Sequence, residues 1–243
     1  ISAEDRKDWI SLAFVQAGIC VCVPAFLLGA LLAEAMPIWP AIISGSLGYL
    51  IVVVGMVATG MIGCDLGLAS CTCCQAGFGK SGARFIVSTI FAVNMIGWFG
   101  IQNGVCGEAF SNAMLAMTGW DIPVVVSNTI WGIIMLLTAV YGVHALEKLD
   151  KISIPLLMII MCYGTFLAFK VYGTGNLNDE GTVQSMSFMS GVALSFNFTA
   201  VGTITGPDYT RFQKSRKDTV KSVFYGVFPM GVITLIMGIV LTK

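Results

Sequence analysis

The chain has 243 residues, of which 13 are Lys or Arg and 13 are Asp or Glu, so 11% are charged against about 25% in an average soluble protein. With a mean hydropathy of +0.87, this composition excludes a water-soluble fold. The zero net charge also excludes a nucleic-acid binder, which must neutralise phosphates. An integral membrane protein, with the lipid bilayer as its surroundings, remains.

Seven stretches are apolar and long enough to cross a hydrocarbon core of about 30 Å as helices. In chain order they are 9–32, 38–62, 85–107, 122–143, 152–171, 188–205 and 220–241. A β-barrel would instead show short segments of alternating polarity. The sequence therefore predicts an all-α integral membrane protein with about seven transmembrane helices.

The positive charges predict the orientation, because Lys and Arg accumulate on the cytoplasmic side. With seven spans, Lys170 and Lys243 fall opposite the amino terminus, and the rest of the 13 fall on its side. We therefore expect a multi-pass protein of the plasma (inner) membrane with a cytoplasmic amino terminus. The segments 63–84, 144–151 and 206–219 are then cytoplasmic loops.

An odd number of spans leaves Lys243 on the outer side directly after an apolar run, and the chain starts at Ile1 rather than Met. These two features predict that the chain is the first part of a longer transporter or channel. On this hypothesis further helices follow the seventh span.

The first and sixth spans contain residues that interrupt helices. Those in the first span are Gly18, Pro24 and Gly29, and those in the sixth are Gly191, Gly202, Gly206 and Pro207. In inverted-repeat transporters, broken helices at corresponding places form the binding site. The alternative is ordinary packing of helices through small residues.

The third span carries a polar stripe. Asn94, Trp98 and Gln102 recur every four residues and share one helix face, with Asn103 and Glu108 further along. An indole beside an amide suits a flat heterocycle, since the ring can stack and the amide can bond its edge. The alternative is that the amides only join neighbouring helices, at about 0.6 kcal/mol each.

Catalysis and metal binding have little support in the sequence. Cys64, Cys71, Cys73 and Cys74 lie close in the chain, but their spacing lacks the regular pairs typical of zinc sites. No nucleophile–base pair or phosphate-binding glycine loop is present. We therefore expect no enzyme activity, no metal and no cofactor apart from a coupling ion.

Several motifs resemble those of the nucleobase–cation symporter-1 family, the cytosine, purine, allantoin and hydantoin permeases. They are GWFGIQ at 97–102, GPDYTRF at 206–212, GLASCTCCQAGFGKSGA at 67–83, FVQAG at 14–18 and YGVHALEKLDKISIPLL at 141–157. The resemblance covers essentially the whole chain and is strongest to the cytosine permease branch. It implies a LeuT-type fold of twelve helices, with a first five-helix repeat at 1–175 and the start of an inverted second repeat at 176–243.

The resemblance also implies site residues. Trp98 would stack on the substrate ring and Gln102 would hydrogen-bond its edge. The carbonyls of Gly18 and Val21 would hold the ion of sodium-coupled members. Cys22 falls at a pocket position where relatives often carry Gln or an aromatic residue. In the sixth helix the family's aromatic position falls on Thr199, so either the adjacent Phe198 supplies the second stacking face or the substrate is stacked on one side only.

The predicted function is import of a nucleobase, such as cytosine or a related purine or pyrimidine, by symport with sodium or a proton. Helices one, two, six and seven would rock against the rest around a midplane site. The eighth helix, which in this family contributes to the substrate and ion sites, is not among the seven. A channel and a transport-inactive membrane scaffold remain as alternatives, and the oligomeric state is not predicted.

Overall fold

The computed structural model describes residues 1, 3–140, 143–173 and 186–243. These ranges are helical and contain no strand; Lys7 and Gln213 form an isolated parallel bridge. In chain order the α-helices are α1 Trp9–Cys20, α2 Val23–Ala35, α3 Ile38–Leu66, α4 Ser70–Cys73, α5 Gln75–Gly82, α6 Ser88–Thr118, α7 Val124–Val140, α8 Val143–Tyr172, α9 Phe188–Thr210 and α10 Arg216–Thr242. A π-helical turn, Ala83–Val87, leads into α6.

Within the described ranges, five helical stretches are long and apolar enough to cross a membrane, and α1 with α2 forms a sixth as a bent pair. The helix α7 has 17 residues, at the lower limit of about 17 for a span. All seven predicted spans therefore coincide with helices. The predicted all-α membrane fold is confirmed.

Several predicted boundaries were wrong. The third predicted span does not stop at 107. Its helix, α6, continues to Thr118, where Gly119 at φ 75° ends it in a left-handed cap. The segment 144–151 is not a loop but the first turns of α8, and 63–84 contains α4 and α5. Apolar runs mark lipid burial, whereas helices extend wherever helix-forming residues follow.

The chain divides into two compact units. The larger consists of 1–73 and 149–243, and the smaller of 74–148. The predicted boundary between two repeats, at 175–176, lies outside the described residues. The division into inverted repeats stays a prediction.

The helices α3 and α9 of the larger unit approach closely through small residues. Two hydroxyls bond across this interface: Ser195 Oγ donates to the Gly45 carbonyl at 2.7 Å, and Thr210 Oγ1 donates to the Gly60 carbonyl at 2.7 Å. A Cβ added at Gly48 would lie 2.6 Å from that of Ser195. Because lipid provides no hydrophobic drive between helices, close contact and interhelical hydrogen bonds hold such pairs together.

The sixth predicted span is not broken. The helix α9 continues through Pro207 to Thr210, although a proline removes the bond to the carbonyl four residues earlier. That carbonyl belongs to Thr203, and it accepts a hydrogen bond from Thr59 Oγ1 of α3 at 2.6 Å. A hydroxyl on a neighbouring helix thus replaces the lost donor, as membrane helices allow, and the expected second break was wrong.

The segment before α1 is tied to the α9–α10 connection. Arg6 donates to the carbonyls of Gln213 at 2.7 Å and Cys64 at 3.1 Å. Lys214 pairs with Asp8 at 2.7 Å, and this hydrogen bond and charge raise the pKa of Lys214. These contacts fix the entry to α1 against one end of the larger unit.

Candidate functional site

The first predicted span is interrupted at Val21 and Cys22. Here α1 ends and α2 begins, with a bend of 52° between them. Val21 N–H bonds the Ala17 carbonyl, but ψ of Val21 is 74°, and Cys22 is extended at φ −148° and ψ 158°. Pro24 stands in the first turn of α2, where its missing N–H removes no helical bond. The expected break in the first span is confirmed.

The break exposes backbone polar groups inside the larger unit. The last four carbonyls of a helix have no regular intrahelical partner, and in α1 these include the carbonyl of Gly18. Cys20 is fully buried and Val21 is 3% exposed. Irregular backbone at membrane depth persists only where protein or a cavity surrounds it, and the burial of Cys20 and Val21 meets that condition.

The helix α8 lies beside the last turn of α1. Ile154 packs with Ala17 and Val21. One turn earlier on α8, the carboxylate of Asp150 faces Gly18: a Cβ added at Gly18 would lie 3.5 Å from Asp150 Oδ1. Sequence reasoning missed Asp150 because it assigned 144–151 to a loop. The signal that would have found it is its spacing of four residues from Ile154.

Phe198 and Thr199, the predicted pocket residues of the sixth helix, both lie on α9. Thr199 is buried, at 5% exposed, and its hydroxyl donates to the Ser195 carbonyl at 3.2 Å. Phe198 is partly buried and packs against the main apolar core. Cys22, at the break, is also partly buried and its thiol bonds the Ile19 carbonyl at 3.5 Å.

Trp98 and Gln102 lie on α6 in the smaller unit. Because α6 is continuous from Ser88 to Thr118, the two side chains share one face with Asn94. Trp98 and Gln102 are both partly buried, whereas Asn94 and Glu108 are exposed. The common face predicted from the sequence is therefore present, and the substrate roles of these residues stay predictions.

Asn103, although next to Gln102, belongs to the contact of α6 with α7. A Cβ at Gly132 of α7 would lie 3.1 Å from Asn103 Nδ2, and one at Gly107 of α6 would overlap the amide of Asn128. Each helix thus lays an asparagine over a glycine of the other. Asn103 thus packs against α7, but its buried Oδ1 has no hydrogen-bond partner among the described residues, so a bond between helices stays a prediction.

The cysteines are free thiols. In the ranges that the structure describes, no group of three or more His, Cys, Asp or Glu side chains is arranged to hold a metal ion. The cluster of Cys64, Cys71, Cys73 and Cys74 therefore forms no such centre there.

The known proteins to which this chain is similar in sequence are permeases. A family model described as a permease for cytosine/purines, uracil, thiamine and allantoin matches residues 1–243. The cytosine permease of Escherichia coli (strain K12) is 27% identical over 237 residues, which cover 96% of this chain and 54% of the relative. A purine-uracil permease of Arabidopsis thaliana is 25% identical over 248 residues, covering 91% and 41%. The chain thus spans about half the length of the curated relatives it matches.

A solved structure shares the fold. It is Mhp1, a nucleobase-cation-symport-1 family transporter in a closed conformation with bromovinylhydantoin bound. The TM-score is 0.88 at 18% sequence identity, and the match covers 98% of this chain and 55% of the other. The LeuT-type architecture expected from the resemblance is confirmed for the part of the fold that this chain forms.

Proposed function

Because this chain belongs to the family of permeases for cytosine/purines, uracil, thiamine and allantoin, the nucleobase–cation symport-1 transporters, we propose that the full-length protein imports a nucleobase together with a cation. Cytosine or a related purine or pyrimidine is the proposed substrate, and sodium or a proton is the coupling ion. The protein would lie in the plasma (inner) membrane with a cytoplasmic amino terminus.

The observation that carries this proposal is the break between α1 and α2. A continuous helix offers no backbone groups to a ligand, whereas a break at membrane depth frees carbonyls for a cation and amides for a substrate. The break is buried by α8 and by the main core. Gly18 and Val21, the proposed ion residues, are at its α1 side.

Substrate recognition is proposed for one face of α6. The indole of Trp98 would stack on the base, and the amide of Gln102 would hydrogen-bond its edge. Stacking of a base on an aromatic side chain contributes about 1–3 kcal/mol. Trp98→Ala should therefore raise the half-saturating nucleobase concentration by roughly ten- to a hundredfold.

The other proposed pocket residues are Cys22, Phe198 and Thr199. Cys22 lies directly at the break, so a change in the angle between α1 and α2 would move it. Phe198 and Thr199 are on α9, which packs along α3. Substrate release would follow rocking of α1, α2, α3, α9 and α10 against the remaining helices.

The test is uptake of radiolabelled cytosine by cells expressing the chain with its native continuation. Adenine, uracil, allantoin and hydantoin serve as competitors, and uptake is measured with and without gradients of sodium and of protons. Trp98→Ala and Gln102→Ala are compared with Trp120→Ala, a control of the same residue type that is 69% exposed at the end of α6.

We expect saturable uptake that Trp98→Ala and Gln102→Ala reduce and Trp120→Ala leaves unchanged. Conductance without saturable uptake would favour the channel alternative. If neither uptake nor conductance is measurable while the protein reaches the membrane, the scaffold alternative replaces the transporter.

A further inference from the structure

We propose that Asp150 of α8 binds the coupling cation, Na⁺, beside the last turn of α1. The inference rests on the proposed cation symport and adds a ligand from the fifth span to an ion site to which the backbone carbonyls at the break contribute. Three observations lead to it: the position of Asp150, the electrostatics of the helix end, and the absence, among the described residues, of a cation that balances the carboxylate.

The position follows from the inward stripe of α8. Asp150, Ile154 and Met158 succeed one another at intervals of four residues and so share one face of the helix. Ile154 is 5% exposed and packs on Ala17 and Val21, with Met158 at the edge of the same cluster. Asp150 is thus the charged member of an apolar stripe that lies along the broken helix.

Gly18 admits the carboxylate to the backbone of α1. An added Cβ at Gly18 would have Oδ1, Oδ2 and Cγ of Asp150 at 3.5, 3.6 and 3.6 Å as its three nearest neighbours. The carboxylate therefore lies against the residue whose carbonyl is a proposed ion ligand.

The electrostatics at this point are unbalanced. The carboxyl end of a helix carries roughly half a negative charge, concentrated on carbonyls without hydrogen-bond partners. A carboxylate there is repelled by the helix end, and an ionisable group within a span is costly unless it is paired. A cation bound between Asp150 and α1 is attracted by the carboxylate and by the carbonyls of the helix end, so it offsets both the repulsion and the cost of the unpaired charge.

The described part of the protein provides no such cation of its own. Neither a hydrogen bond nor an ion pair of Asp150 occurs within these residues. The nearby Lys151 extends its ammonium to Ser11 Oγ at 3.3 Å. Tyr209 of α9 interacts electrostatically with both Asp150 and Asp208, and it carries no positive charge.

Asp208 of α9 differs from Asp150 in its hydrogen bonding. One of its oxygens, Oδ1, accepts a hydrogen bond from Ser70 N–H at 3.2 Å, which commits the side chain to joining α4 to α9. Within the described ranges Asp150 has no such bond. Unwound backbone carbonyls match the chemistry by which transporters of this architecture hold Na⁺, and the carboxylate adds a charged oxygen ligand to them.

The experiment uses purified full-length protein and needs no nucleobase. Thermal unfolding is followed while NaCl replaces choline chloride at constant ionic strength, with KCl as a second series. Binding to the folded state raises the melting temperature by an amount that grows with the logarithm of the ion concentration above its dissociation constant. The variants are Asp150→Asn, which removes the charge at nearly constant volume, Asp150→Glu, which keeps it, and Asp121→Asn, an exposed carboxylate in the other unit, as control.

We expect Na⁺ to stabilise the wild type and Asp121→Asn equally. Asp150→Asn should need about tenfold more Na⁺ for the same shift, the effect of losing one charged ligand, and Asp150→Glu should recover part of it. Gly18→Ala provides a second perturbation that keeps the carboxylate. Its methyl group meets Asp150 at ordinary contact distance, so the protein should fold while Na⁺ binding weakens.

Equal Na⁺ dependence of the wild type and Asp150→Asn would overturn the inference, and so would a wild type that Na⁺ does not stabilise beyond choline. Nucleobase uptake measured in parallel separates the two proposals. Uptake with no effect of Asp150→Asn on Na⁺ binding leaves the transporter and removes this site. An Asp150-dependent Na⁺ shift without any uptake leaves the site and removes the nucleobase.

Discussion

Gly29 and Gly238 set the distance between α2 and α10, and replacing either should destabilise the protein. A Cβ on Gly29 would lie 2.9 Å from Ile239 N and 3.0 Å from the Cα of Gly238, and would overlap the Leu235 carbonyl. A Cβ on Gly238 would lie 3.0 Å from the Cα of Phe26 and overlap its carbonyl. These are backbone atoms, which cannot rotate away as a side chain can.

Alanine at either position must therefore separate the two helices by a few tenths of an ångström or more. Overpacking of this kind costs about 1–3 kcal/mol, and alanine recovers about 1 kcal/mol because it favours the helix. We expect a net loss of up to about 2 kcal/mol for each single variant. One separation relieves both overlaps, so the double variant should cost less than the sum of the two.

The assay is thermal unfolding of the purified protein, with its native continuation, in detergent. The control is Gly164→Ala on α8, where an added Cβ meets nothing within 4 Å and only the helix preference of alanine acts. We expect Gly29→Ala and Gly238→Ala to melt below the wild type and Gly164→Ala to melt at or above it. Melting of Gly238→Ala at the temperature of Gly164→Ala would refute backbone contact as the determinant of this interface.

Three further perturbations probe the larger unit by the same unfolding assay. Ser195→Ala removes the 2.7 Å hydrogen bond to the Gly45 carbonyl and should lower the free energy of unfolding by about 0.6 kcal/mol, with an upper limit of about 1.7 kcal/mol. Ser187→Ala, at the amino-terminal cap of the same helix, is the comparison for an exposed hydroxyl. Arg6→Gln should lower the melting temperature more than Arg216→Gln. Arg6 donates hydrogen bonds to two backbone carbonyls, whereas Arg216 pairs with Asp65 at an exposed site, where ion pairs contribute little to stability. Equal effects of the two substitutions would contradict this ranking. Asp8 raises the pKa of Lys214. Below the ordinary lysine pKa, about 10.4, this interaction stabilises the folded state fully, and the stabilisation is lost as the pH rises through the raised pKa of Lys214. The small difference in melting temperature between wild type and Asp8→Asn should therefore stay constant from neutral to moderately alkaline pH and disappear only above the lysine range; a difference that disappears near neutrality would exclude Lys214 as its source.

The helix ends show how much of the fold the local sequence predicts. The apolar runs located every span, because the cost of leaving a polar backbone in lipid acts on each segment by itself. The start of α10 was also readable: Ser215 accepts a hydrogen bond from Asp218 N–H at 3.2 Å and bonds its carboxylate in return, a local capping pattern. Prediction by apolarity placed this start at 220 because Lys217 and its neighbours are polar.

The two prolines show where local sequence fails. Pro24 and Pro207 both stand among glycines in apolar runs, and the same reasoning predicted a break at each. The difference lies in Thr59, 144 positions from Thr203 along the chain, whose hydroxyl replaces the bond that Pro207 removes. Nothing within α9 indicates that this donor is present.

The candidate site divides in the same way. The face shared by Trp98 and Gln102 depends only on helical periodicity and was available from the sequence. The sequence also predicted a break in the first span, but it predicted one in the sixth span as well. The approach of Asp150 to Gly18 was not available from the sequence, because it joins α8 to α1 through the packing of Ile154. Composition and periodicity determined that this protein is a bundle of membrane helices, since both act within one segment. Contacts between segments decided which helix breaks and which charge faces the break, because only the folded chain brings those segments together.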